Sequence, residues 1–199
     1  LIKLGQWIEG GIAMSEIVSA GPCESDNLED EQRWLVAAAL TAARSVMNES
    51  PYVGTQRAHE RALSGRLGIW LSRQLAVRRL ELRGIRVDVE YDQMADSERK
   101  RVGDGYRRID VLIHRRGVEG PNLLACEVKS NHCRPRSVDP TDLDKLRFLT
   151  DQDGPFSYAV GLWLSLPRSP GGSGYYAVIV DGKLLGDATG DTICEISAV

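Results

Sequence analysis

Three ionisable residues near the middle of the chain, Asp110, Glu127 and Lys129, have the types and spacing of a catalytic set. The run Arg107-Arg108-Ile109-Asp110-Val111-Leu112-Ile113-His114 carries β-branched residues at 109, 111 and 113 and predicts a strand. A second strand is predicted over Asn122-Leu123-Leu124-Ala125-Cys126-Glu127-Val128-Lys129, and the Gly/Pro-bearing stretch 116–121 between them has the chemistry of a hairpin loop. Side chains alternate faces along a strand, so Glu127 and Lys129 point one way while Cys126 and Val128 point the other. Two carboxylates and an ammonium gathered on one face are costly to bury without a purpose. A divalent metal ion supplies that purpose.

The chemistry that follows is phosphodiester hydrolysis. Mg²⁺ takes oxygen ligands and is commonly held by one or two carboxylates together with waters and substrate phosphate oxygens. Asp110 and Glu127 are the expected ligands, the Val128 backbone carbonyl is a third, and Mn²⁺ is the alternative ion. Such an ion lowers the pKa of a bound water and neutralises charge developing on the phosphate. Lys129 is expected beside the attacking water, where an ammonium stabilises hydroxide and the transition state. The competing reading is a solvated face of an antiparallel pair, with Glu127 and Lys129 in ordinary surface contacts.

The pattern Asp110…Glu127-Val128-Lys129 resembles the PD-(D/E)XK nuclease superfamily, in which an acid on the second strand of a small sheet is followed by Glu-X-Lys on the third. The segment from Asp139 to Leu149 is similar to the family's helix after the third strand, and that from Ser157 to Leu164 to its fourth strand. The family's first acid usually follows proline, whereas Arg108-Ile109 precedes Asp110 here. The resemblance spans roughly residues 56–166. It implies an α/β, restriction-endonuclease-like αβββαβ core, a small mixed sheet flanked by helices, and a Mg²⁺-dependent nuclease acting on DNA or RNA. It also points to Glu60, as a residue completing the metal shell or binding a second ion, because the family often carries a glutamate on the helix before the sheet. The second functional reading is a catalytically inactive module of the same fold that binds nucleic acid or a protein partner, since a fold does not fix an activity.

Several elements are expected to position these residues. A helix from about Glu31 to Met47, capped by Asp26 or Asp30, turns Trp34, Leu35, Ala38 and Ala42 inward. A long helix over roughly residues 55–83 carries the stripe Leu63, Leu67, Trp70, Leu71 and Leu75, and Glu60 falls one turn ahead of it, facing the sheet. The plain alternative for Glu60 is an acid favoured by the helix dipole. Residues 85–91 alternate as a first strand, and residues 140–150 form a helix burying Leu143, Leu146 and Leu149. Strand–helix–strand order predicts that the strand over 157–166 lies parallel to that over 122–129. A final strand covers 175–180, followed by a turn at Asp181-Gly182-Lys183. The stretch 169–174 lacks the Gly-Lys-Ser/Thr ending of a phosphate loop and precedes a strand, so it reads as a hairpin loop. Residues 1–28 are expected to be irregular and 29–199 to form one nuclease-like domain, with residues before Met14 read as a remnant or mis-set start.

Net charge is −3, which excludes a generally basic nucleic-acid coat. Between Arg99 and Arg136, however, ten basic residues face four acidic ones, and this local excess brackets the proposed site. Arg107, Arg108, Arg115, Arg134 and Arg136 are the expected contacts to neighbouring phosphates of DNA or RNA. No apolar run approaches a membrane span. Four cysteines without C-x-x-C spacing suggest a reducing cytoplasm, with Cys126 as core packing. His114 shares strand parity with Asp110 and is expected at the surface or behind the ligands, and His132-Cys133 in a loop. Oligomeric state is not legible, though dimerisation is one source of specificity for a chain lacking a recognition domain.

Overall fold

Alternating β-branched residues over 85–91 and 109–113, and near-continuous buried runs over 123–128, 160–166 and 174–179, build one mixed sheet. The computed structural model describes residues 28–49, 60–91, 108–115, 121–131, 135, 137–167, 172–186 and 192–196. Among these are the helices α1 (Asp30–Asn48), α2 (Glu60–Val77) and α3 (Pro140–Thr150). The strands are β1 (Ile85–Tyr91), β2 (Ile109–Arg115), β3 (Asn122–Asn131), β4 (Val160–Pro167), β5 (Gly174–Val180), β6 (Lys183–Leu184) and β7 (Cys194–Ile196). The first three form an antiparallel meander, β4 runs parallel to β3, and β5 returns antiparallel to β4. The short strands β6 and β7 both pair with β5. A parallel step needs a crossover connection, and α3 supplies it between β3 and β4. The chain is therefore a mixed α/β structure with an open sheet.

Strand parity divides the core into two layers. Val111, Ile113, Leu124, Cys126 and Val128 pack with the apolar faces of α1 and α2, while Leu112, Ala125, Trp163 and Ile179 pack with Leu146 and Leu149 of α3. Asp110 and Glu127 share the parity of Leu112 and Ala125, so they look toward α3.

Helix α2 buries Leu63, Leu67, Leu71 and Leu75, a run at every fourth position. Trp70 is only half-buried and stacks under the Arg73 guanidinium, 4.2 Å from its ring centroid. The helix ends earlier than its pattern predicts. Arg79 takes a left-handed φ of 54°, and a 3₁₀ turn over Leu80–Arg83 then closes on Gly84 at φ 80°. Residues 55–59, also expected in this helix, lie outside the described residues. Helix α1 is capped by Glu29 rather than Asp26 or Asp30, with the Glu29 backbone N–H donating to Gln32 Oε1 at 3.0 Å. Strand β4 starts at Val160, three residues later than expected, because Ser157 is left-handed at φ 46° and its hydroxyl donates to the Gln152 and Gly154 carbonyls.

Helix α2 approaches β1 closely at Gly68, where an added Cβ would stand 2.3 Å from Val89 Cγ2. Alanine has the better helix propensity by about 1 kcal/mol, but overpacking of this kind costs about 1–3 kcal/mol. Gly68→Ala is therefore expected to destabilise the protein in urea unfolding, and Val89→Ala in the same chain should recover most of the loss. Equal or greater stability of the single variant would show that the half-exposed Val89 side chain turns aside without cost.

Candidate active site

The register that pairs Val111 with Cys126, continued by one residue, sets Asp110 across from Glu127. Asp110 reaches over the strand gap: its Oδ2 accepts from the Val128 backbone N–H at 2.8 Å. Glu127 is 2% exposed, which rules out the solvated-face reading for this residue. Its carboxyl is pushed up to about 8 by burial and by the neighbouring Asp110 charge, with Asp142 adding to the rise and Lys145 opposing it. Cys126, fully buried with its side chain in the opposite layer, has its thiol raised well above the ordinary range by burial and then by Asp110 and Glu127. Such a thiol is not a nucleophile at neutral pH.

Lys129 shares the Glu127 face and pairs with Asp142 of α3, Nζ to Oδ2 3.1 Å. Burial disfavours the Lys129 ammonium, but the Asp142 charge and hydrogen bond, with Glu60 and Glu127 beyond, more than offset this and raise its pKa above the usual lysine value. Lys129 is thus a permanent cation at neutral pH.

Two residues of α3 that no motif singled out complete the arrangement. Lys145 Nζ donates to Glu127 Oε1 at 2.7 Å and to the Arg108 carbonyl at 2.9 Å. Asp142 is 5% exposed. The helix is placed by Asp139, whose side chain accepts from the Thr141 N–H at 2.9 Å, and by Pro140 in the first turn. Gly161 lets it lie close on β4, since an added Cβ there would meet Thr150 Cγ2 at 3.0 Å.

Glu60 opens α2 and reaches the far end of β3, where its Oε1 accepts from the Ser130 N–H at 3.4 Å. It therefore borders the Lys129 side of the cluster rather than pointing to bulk solvent. Of the five arginines, Arg107, Arg134 and Arg136 lie outside the described residues. Arg108 pairs with Glu90, which also holds Arg61. Arg115 sits at the opposite end of β2 from Asp110, five residues or roughly 16 Å along the strand, so it does not flank the carboxylates. His114 is 4% exposed and meets Asp88 Oδ2 at 2.7 Å through Nε2, a buried pair on β1 and β2 rather than a surface group. His132-Cys133 and His59 lie outside the described residues.

Among the described residues no group of three or more histidine, cysteine, aspartate or glutamate side chains forms a metal cage. Mg²⁺ does not require one, because two carboxylates and a backbone carbonyl suffice when waters fill the shell. Asp110 Oδ2 and Glu127 Oε1 carry the contacts above, so among the described residues Oδ1 and Oε2 are the oxygens that would face a cation. The charge balance fits as well. The acids Glu60, Asp110, Glu127 and Asp142 meet two lysines, and burial together with the Asp110 charge outweighs Lys145 in holding the Glu127 pKa up. Compared with protein-family models, curated proteins and solved structures, the chain gives no significant match.

Proposed function

We propose that this chain is a Mg²⁺-dependent nuclease hydrolysing phosphodiester bonds of DNA or RNA, with a restriction-endonuclease-like core of the PD-(D/E)XK type. The observation that carries the reading is the buried carboxyl of Glu127, held opposite Asp110 and flanked by the lysines of β3 and α3. An isolated buried acid is expensive, and two adjacent ones more so, unless a cation compensates them. Support also comes from the succession α2–β1–β2–β3–α3–β4, which is the order that the resemblance implies.

Asp110 and Glu127 would hold the ion, with the Val128 carbonyl beside them. When bound, Mg²⁺ supplies an acidified water and neutralises phosphate charge. Lys129, fixed by Asp142 and protonated, adds a positive charge for the pentavalent phosphorane-like transition state and is unsuited to act as a general base. Glu60 orients the Lys129 end of the site through its contact with Ser130.

A second reading, a catalytically inactive module that binds nucleic acid or protein, is favoured by one observation: Lys145 already occupies Glu127 Oε1 without any metal. Incubation with single-stranded, double-stranded and branched DNA and with RNA, in Mg²⁺, Mn²⁺ or EDTA, separates the two. The nuclease should cleave at least one polymer with either ion, stop in EDTA, and lose cleavage in Glu127→Gln. Binding without cleavage of any substrate in either ion would establish the inactive module. No helix among the described residues is long and apolar enough to cross a membrane.

A further inference from the structure

Among the described residues, Lys145 is the cation that pairs with Glu127. Its side chain is 12% exposed, and its two acceptors are the Glu127 carboxylate and the carbonyl of Arg108, two residues before Asp110. Both lie beside Asp110 and Glu127, the residues that would hold a divalent ion. Lys129 pairs instead with Asp142, at 3.1 Å. An ammonium and a divalent ion attracted to the same carboxylate compete for it, by charge and by occupation of its oxygen.

We propose that Lys145 is a built-in counter-cation that holds Glu127 in the metal-free protein and yields it when a divalent ion binds, so that metal affinity is set by an internal competitor. This rests on the metal-dependent reading of the site. On loading, the ammonium gives up Glu127 Oε1 and keeps the Arg108 carbonyl as its anchor. The metal-free site thereby keeps Glu127 hydrogen-bonded in place, and the ion binds only at concentrations sufficient to displace the lysine. A merely structural pair behaves differently: its loss would leave Glu127 misplaced and weaken metal binding.

Mn²⁺ titration calorimetry on the full chain distinguishes these, without nucleic acid present. Lys145→Met should bind Mn²⁺ about tenfold or more tightly than the parent chain, since removing an adjacent unit charge inside a protein changes an equilibrium by at least that factor. Lys145→Arg, which keeps the charge, should remain near the parent affinity. Circular dichroism checks folding, and Lys145→Gln, neutral but still able to hydrogen-bond the Arg108 carbonyl, replaces the methionine variant if the latter does not fold. Tighter binding by the neutral variants alone supports the competitor. Unchanged or weaker binding by folded neutral variants, in a protein whose Mn²⁺ binding Glu127→Gln abolishes, overturns the competitor and leaves the metal site standing. No Mn²⁺ binding by the parent or any variant overturns both.

Discussion

Replacing Lys129 by alanine, with Asp142→Asn to avoid stranding a buried acid, should lower the Mg²⁺-dependent cleavage rate by about 10²–10³ while leaving the fold intact, as removal of one preorganised transition-state donor does elsewhere. The double change matters because Asp142 is 5% exposed and pairs with Lys129. Removing the lysine alone would leave an uncompensated buried carboxylate, and a stability loss would then masquerade as a catalytic one. Lys129 itself is about one-third exposed, so its truncation removes little packing. The loss should fall on kcat and kcat/KM together with KM little changed, since the ammonium is expected to act on charge that develops only in the transition state. A folded double variant with full activity would assign Lys129 to an ordinary ion pair.

The metal-free protein should lose stability as pH rises from about 4.5 to about 8, on the order of a few kcal/mol in total. Glu127 holds its proton up to about 8 in the folded chain but only to ~4.3 when unfolded, so across this window the native state binds more protons than the unfolded state. Stability must therefore fall with pH, the reverse of a salt-bridged surface acid. Glu127→Gln, neutral throughout, should flatten the profile and be the more stable form at pH 8 without divalent ions. Saturating Mg²⁺ should oppose the decline in the parent chain, because metal ligation favours the deprotonated carboxylate. Urea midpoints at pH 5, 7 and 9 for both proteins provide the measurement. Parallel profiles would mean that Glu127 titrates alike in both states and is not desolvated in the fold.

Strand positions were the most legible part of the chain, because β-branched alternation over 85–91 and 109–113 has few other physical meanings, and the run over 175–180 is apolar and β-branched. That alternation also placed Asp110 and Glu127 on a common face. Helix α3 was harder to read. Leucines at 143, 146 and 149 define an apolar stripe, yet Leu143 is only partly buried while Asp142 and Thr150 are buried beside Leu146 and Leu149. The true inward face runs 142, 145, 146, 149 and 150, an i, i+3, i+4, i+7, i+8 pattern whose first members are charged. A hydrophobic criterion passes over Asp142 and Lys145, and they matter because the sheet face beneath them carries Glu127 and Lys129. The Asp88–His114 pair escaped for the same reason: polar residues on strands read as outward-facing until a partner across the ladder is known. The end of α2 was missed because Arg79 adopts a left-handed conformation that no residue-type preference signals.

Strand β1 is the outermost strand on its side among the described residues, pairing only with β2. A bare outer strand invites another chain to add to it and extend the sheet into aggregates. Here Arg86, Asp88 and Glu90 place a charge at every second position, Asp88 turns inward against His114, and Glu90 bends the backbone at φ 50° where Arg61 and Arg108 grip it. An incoming strand would meet a kinked, charged border at the end nearest Asp110, which disfavours growth of the sheet at that corner.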